Sequence, residues 1–129
     1  MEKILLANRM ITPDGTLMQS FNQHDYKIYK DTLSKEEYMI DGGLAYERRS
    51  LNCVPVLDDS AYTTDSHGYI RERFAWGSYG KNGDERLHYI YLKDMETNHI
   101  KAILETQSHI QDYIRELFET ELNWRFGNE

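Results

Sequence analysis

The sequence predicts an α+β domain in which an N-terminal antiparallel β-sheet, built of hairpins, is followed by a C-terminal segment of two helices. Three observations carry this. Short runs that alternate apolar and polar residues fill residues 1–93, as half-buried strands require. Turn chemistry separates them at Thr12-Pro13-Asp14-Gly15-Thr16 and at Gly80-Lys81-Asn82-Gly83. Over residues 94–126 the period changes: Ile100, Ile103, Leu104, Ile110, Ile114, Leu117, Phe118 and Leu122 recur at three- and four-residue steps with no glycine or proline between them. At 129 residues the chain is read as one domain, β-rich over 1–93 with a helical tail over 94–126.

The elements follow in order. Ile4 to Ile11 and Leu17 to Phe21 flank the first turn and make a hairpin. Ile28 and Tyr29 form a short strand. Tyr38 to Ile40 form the next, which runs into a turn at Asp41-Gly42-Gly43. Adjacent glycines permit positive φ or a close backbone approach, so the pair is expected to be conformationally required. Pro55 and Asp58-Asp59-Ser60 mark a surface loop with a short edge strand over Val54 to Leu57. Asp65 or Ser66 can cap a brief helical turn over His67 to Arg73. Phe74 to Tyr79 and Arg86 to Leu92 pair across the Asn82-Gly83 turn. In the tail, Ser108 and Gln111 stand at capping-box spacing and divide two helices, one uninterrupted helix being the alternative.

Composition narrows the function. Forty per cent apolar and 29% charged residues describe a soluble globular chain, and the net charge of −7 speaks against a nucleic-acid polymer as partner. One cysteine, Cys53, excludes an intrachain disulfide and a CxxC metal knuckle, so a reducing cytoplasm is the expected compartment. The apolar run in MEKILLANRM is too short for a signal peptide, and no stretch is long and apolar enough for a membrane span. No nucleophile elbow, Walker loop, HExxH or Rossmann glycine pattern is present, and the five histidines show no metal-ligand spacing. Neither a cofactor nor a metal is expected.

Three clusters of residues could carry chemistry. Arg48 and Arg49 follow the glycine pair, and guanidinium groups make bidentate bonds to carboxylates and phosphates. A hairpin turn followed by two solvated arginines explains the same residues equally well. In Arg71-Glu72-Arg73-Phe74-Ala75-Trp76-Gly77-Ser78-Tyr79, arginines alternate with aromatics, so a ring could stack on a base while Arg73 meets its phosphate. On a strand Phe74, Trp76 and Ser78 share one face, which also suits a core. His24-Asp25 could act as base and orienter, although neighbours on a strand point to opposite faces.

The segments His24-Asp25-Tyr26, Asp41-Gly42-Gly43-Leu44-x-Tyr46-x-Arg48-Arg49, Trp76-Gly77-x-Tyr79-Gly80-Lys81 and His99-Ile100-x-Ala102-Ile103-Leu104 together resemble a family of small proteins of uncharacterised function encoded by tailed bacteriophages. In length and element order the chain also resembles the phage anti-Thoeris sponge family, whose members have an N-terminal sheet and two C-terminal helices. Those proteins oligomerise and sequester cyclic ADP-ribose signals, some also cyclic oligonucleotides, without degrading them. The resemblance implies Arg49 on a phosphate, Phe74 stacked on adenine, and Asn82 and Lys101 as polar contacts.

The expected function is therefore a phage-encoded anti-defence binding protein in the host cytoplasm that sequesters a small anionic nucleotide signal without catalysis. Its expected ligand-binding residues are Arg48, Arg49, Arg73, Phe74, Trp76, Asn82 and Lys101. The alternatives are an inhibitor that masks a host factor with its acidic surface, and a small hydrolase using His24 and Asp25. Ile110, Ile114, Leu117, Phe118, Leu122 and Trp124 offer more apolar surface than a small sheet can cover, so a homo-oligomer is expected.

Overall fold

The computed structural model describes residues 3–22, 25–79 and 83–127. Antiparallel strands dominate the first part of the chain and the two longest helices come last, an α+β fold. The chain forms two compact units, residues 1–66 and 67–129.

In the first unit β1 (Leu5–Ile11) pairs antiparallel with β2 (Leu17–Ser20), with Met10 opposite Met18. The turn between them closes through the Thr12 amide on the Thr16 carbonyl at 2.9 Å, with Gly15 at φ 90°. A second sheet has the order β3 (Lys27–Lys30), β4 (Glu37–Gly43), β5 (Tyr46–Arg49). The other edge of β1 takes two short strands, β6 (Leu57–Asp58) and β7 (Ala61–Tyr62). Alternation along β1, β2 and β4 turns Met10, Met18, Tyr38 and Ile40 into one buried cluster, with Tyr29 and Val56 packed on it.

The glycine pair departs from the expected turn. Asp41, Gly42 and Gly43 belong to β4, and the turn lies one step later at Leu44-Ala45, with Ala45 at φ 59°. The reason is steric. Gly42 sits at φ 112°, and a side chain there would overlap the Tyr46 carbonyl of the paired strand. A side chain on Gly43 would overlap the Phe21 carbonyl. Both glycines let backbone approach backbone, Gly42 within the sheet and Gly43 against the segment that follows β2.

Carboxylates stitch the turns of this unit. Asp14 accepts from the Tyr29 hydroxyl at 2.6 Å and from the Thr32 amide and hydroxyl at 2.9 Å. The Tyr29 bond, then those from Thr32, Thr16 and Thr12, hold its carboxyl far below the usual range. Burial pushes Asp31 up, but the Ser34 and Asp14 amides outweigh it and leave it lowered. Glu36 is lowered by the Val54 and Cys53 amides.

The second unit opens with α1 (His67–Arg71) and the hairpin β8 (Ala75–Ser78) and β9 (His88–Tyr91), in register with Trp76 opposite Ile90. The expected turn residues Gly80, Lys81 and Asn82 lie outside the described residues. A 3-10 turn at Leu92–Asp94 leads into α2 (Thr97–Thr106) and α3 (Asp112–Gly127). The tail is thus two helices, broken at Gln107. Because α3 starts at Asp112, Ser108 to Gln111 lies in the connection, not in a capping box. The break is held by Arg115, which donates to the Leu104 and Gln107 carbonyls at 3.3 and 3.4 Å, where a cation suits the α2 C-terminus. Ile114, Leu117 and Phe118 are buried, as are Ile70, Phe74, Leu92, Ile100 and Ile103. Much of the apolar surface that motivated a second copy is therefore covered within this unit.

Two outcomes follow from these arrangements. Gly42→Ala should lose about 1 kcal/mol or more through φ strain and overlap, and Gly43→Ala should lose stability through overlap alone. Chemical denaturation reads both, and wild-type midpoints in both variants would refute the crowding argument. The second outcome concerns pH. Asp14, Asp31 and Glu36 have folded pKa values below their unfolded ones, so the stability they contribute is fully present above about pH 4–5, the unfolded range, and is lost progressively as pH falls from there towards the lower folded values. Melting temperature should drop on acidification, and Asp14→Asn should flatten the drop. An unchanged profile in that variant would remove Asp14 from the account.

Candidate functional site

In the first unit a cleft of about 370 Å³ is lined by Lys3, Ile4, Leu5, Ala45, Tyr46, Glu47 and Tyr62. Three backbone-anchored ties fix its walls. The Ile4 amide donates to Thr63 Oγ1, the Thr63 amide donates to the Ile4 carbonyl, both at 2.9 Å, and the Ala45 amide donates to the Leu5 carbonyl at 3.0 Å. The turn at Leu44-Ala45 is thereby held against the start of β1, and Tyr46 enters the cleft 40% exposed. Lys3 Nζ lies 4.2 Å from the centre of the Tyr62 ring, a cation–π contact. Burial, followed by Glu47, pushes the Tyr62 hydroxyl pKa up, so it stays a protonated donor at neutral pH. The cleft presents two phenol rings, one ammonium and one carboxylate.

The two arginines of β5 do different things. Arg49 stands opposite Ile40 in register and reaches inward. Its Nη2 donates to Asn8 Oδ1 (3.0 Å), the Arg9 carbonyl (2.8 Å), Asp58 Oδ1 (3.2 Å) and Ser60 Oγ (2.7 Å). This guanidinium ties β5 to β1 and to the β6–β7 segment, so it is a structural clamp and not an open phosphate ligand. Arg48 is exposed and stands opposite Asp41. It makes no hydrogen bond or ion pair with a described residue, and Asp41 Oδ1 is buried without a partner among them.

The remaining expected residues fall in the second unit. Phe74 is 0% exposed, edge-on to Phe118 at 6.2 Å, so it is a core ring that no base can reach. Trp76 is half-buried and packs edge-on against Phe118 at 5.2 Å. Arg73 lies over the Tyr69 ring at 3.6 Å and donates to the Tyr69 carbonyl at 3.2 Å. Lys101 is exposed on α2, and Asn82 lies outside the described residues. Of the His24-Asp25 pair, in the first unit, His24 also lies outside them, while Asp25 Oδ2 accepts the Phe21 amide at 2.9 Å as a turn would use it.

Two features of the second unit carry little signal in the sequence. Glu121 is 0% exposed and accepts from Arg71 Nε and Nη2 (both 2.9 Å), Arg125 Nε (2.6 Å) and His67 Nε2 (2.8 Å). Burial raises its pKa, but Arg71, Arg125 and His67 overcome that and leave it lowered. Only the Arg125 partner, at i and i+4, has a local signal. The second feature is a cavity of about 570 Å³, whose polar wall includes Glu85, His88, Asp94, Glu96, Asn98 and His99 and whose apolar part is Ile90, Met95 and Ala102. Among the described residues no three His, Cys, Asp or Glu side chains are grouped to hold a metal ion.

Comparison with protein-family models, curated proteins and solved structures finds no match to this chain.

The Glu121 cluster yields a sharp expectation. Glu121→Ala strands the Arg71 and Arg125 guanidinium groups and the His67 ring around an emptied site, and breaking a buried ion pair costs about 3–5 kcal/mol. Denaturant unfolding should show a loss of that order. A change under about 1 kcal/mol would mean that water replaces the carboxylate at little cost.

Proposed function

We propose that this is a non-catalytic binding protein and that the cleft of the first unit takes a small, planar, anionic ligand of the nucleotide type. The observation that carries the reading is the pairing of two tyrosine rings with the Lys3 ammonium around a cleft of about 370 Å³, a volume within the range of small-ligand sites. Tyr46 shares a face of β5 with Arg48, whose exposed guanidinium is engaged by no described residue. A base or similar ring would lie against Tyr46 and Tyr62, and its phosphate would be drawn to Lys3 and Arg48. Glu47, in the cleft wall, accepts from an amino group on the ring. The reading keeps the ligand class implied by the sponge-family resemblance, and with it a role in silencing a nucleotide-signalled host defence. It moves the contacts from Arg49 and Phe74 to Arg48, Lys3 and the two tyrosines.

Calorimetry with cyclic ADP-ribose isomers and cyclic oligonucleotides, followed by heating and chromatography of the released ligand, tests this. A sponge returns the ligand intact, a hydrolase returns product, and a protein that masks a host factor binds none of them. Arg48→Ala should weaken binding about 10- to 100-fold, as the loss of a charge-assisted bond does, and Tyr46→Ala should cost about 1–3 kcal/mol of affinity. Both residues are exposed, so melting temperatures should stay near wild type. Unaltered affinity in both variants would overturn the assignment of the cleft.

A further inference from the structure

The cavity of the second unit has the opposite chemistry. Its polar wall carries the carboxylates of Glu85, Asp94 and Glu96, the Asn98 amide and the imidazoles of His88 and His99. His88 Nδ1 is within 3.0 Å of the Arg86 carbonyl, which as acceptor fixes the proton on that nitrogen and leaves Nε2 an acceptor in the neutral ring. The side chains of Glu85, Asp94, Glu96, Asn98 and His99 hydrogen-bond with no described residue. By contrast, Glu121 in the same unit is bound by two arginines and the His67 ring. Beside the unengaged acceptors lies an apolar strip of Ile90, Met95 and Ala102, with Met95 only 3% exposed. Acceptors around an apolar strip match a side chain with a hydrocarbon stem and a cationic head.

We propose that this cavity docks a basic segment of a partner protein, one arginine or lysine laying its stem on Ile90, Met95 and Ala102 and its head among Asp94, Glu96 and His99. A small anion is disfavoured there by three carboxylates. The volume of about 570 Å³ accommodates such a side chain with part of its backbone. The residues of this site are all different from those of the nucleotide cleft, so either can fail without the other.

Fluorescence anisotropy with a labelled arginine-rich peptide, against an uncharged peptide of equal length, measures the interaction. Wild-type protein should bind the first and not the second. Asp94→Asn with Glu96→Gln should weaken binding on the order of 100-fold, about tenfold for each charge-assisted bond removed. Ala102→Phe leaves the charge untouched and fills the cavity, so it should weaken binding as well. Glu116→Gln with Glu119→Gln removes the same charge from exposed positions of α3 and should change affinity less than about threefold. Equal losses in the two double variants would reduce the effect to net charge and overturn the proposal. So would full binding by Ala102→Phe, or a cavity that binds cyclic nucleotides in place of the peptide.

Discussion

A buried charge must be answered by opposite charge or by hydrogen bonds, and each unit of this protein contains such a group. In the second unit the group is Glu121. Removing a carboxylate from water costs several kcal/mol, which is recovered only if its oxygens are fully engaged. Arg71, Arg125 and His67 supply four donors at 2.6–2.9 Å. That requirement joins α1 to α3, and Arg125 extends it by donating to the Leu92 carbonyl and Thr97 Oγ1, which fixes the start of α2. Trp124 lies beside His67 and Arg71, at 5.4 and 5.5 Å between centres. The hydrophobic core fills the remaining space, but the placement of the short α1 is set by this carboxylate.

The first unit inverts the arrangement. Here a cation, Arg49, gathers neutral and anionic acceptors from β1, from Asp58 in β6 and from Ser60 between β6 and β7. Nε and Nη2 both reach Asn8 Oδ1, and Nη2 also faces the Arg9 carbonyl, Asp58 and Ser60. The two-residue strand β6 buries little, with Leu57 and Asp58 both exposed. Side-chain bonds to Arg49 and from Arg9 to Asp59 are what hold that edge in place. The cleft is a consequence, because β7 carries Tyr62 to the mouth that Tyr46 and Lys3 complete.

These facts explain how much is legible in the sequence. Strands with clear alternation and turn residues can be read, as can the helices, whose apolar residues recur at helical spacing; both signals are local. The face that Phe74 shares with Trp76 follows from alternation, yet both rings pack on Phe118. Alternation gives the face and not what covers it. β7 escapes because Ala61-Tyr62 is too short for a period. The Glu121 cluster escapes because Arg71 and Glu121 are 50 residues apart on different helices. The cleft escapes for the same reason, since Lys3, Tyr46 and Tyr62 come from three segments that meet only when β1 has paired. The glycine pair is visible, but a turn and a close strand approach use the same residue type, and only backbone angles separate them.

The arginines show why composition alone does not say which of them is open to an anion. In a chain with 22 acidic residues, an arginine near the core meets an internal carboxylate or carbonyl before it meets a ligand. Arg9 is taken by Asp59, Arg49 by β1 and Asp58, Arg71 and Arg125 by Glu121, and Arg115 by the end of α2. What matters for recognition is the cation that the fold leaves unanswered. At Arg48 the strand register offers Asp41 as a partner and the side chains do not take it. A phosphate arriving at Arg48 thus breaks no internal bond, whereas one arriving at Arg49 must compete with four acceptors within 3.2 Å. The free energy of a proposed anion contact depends on the difference between those cases, and that difference favours Arg48 over Arg49.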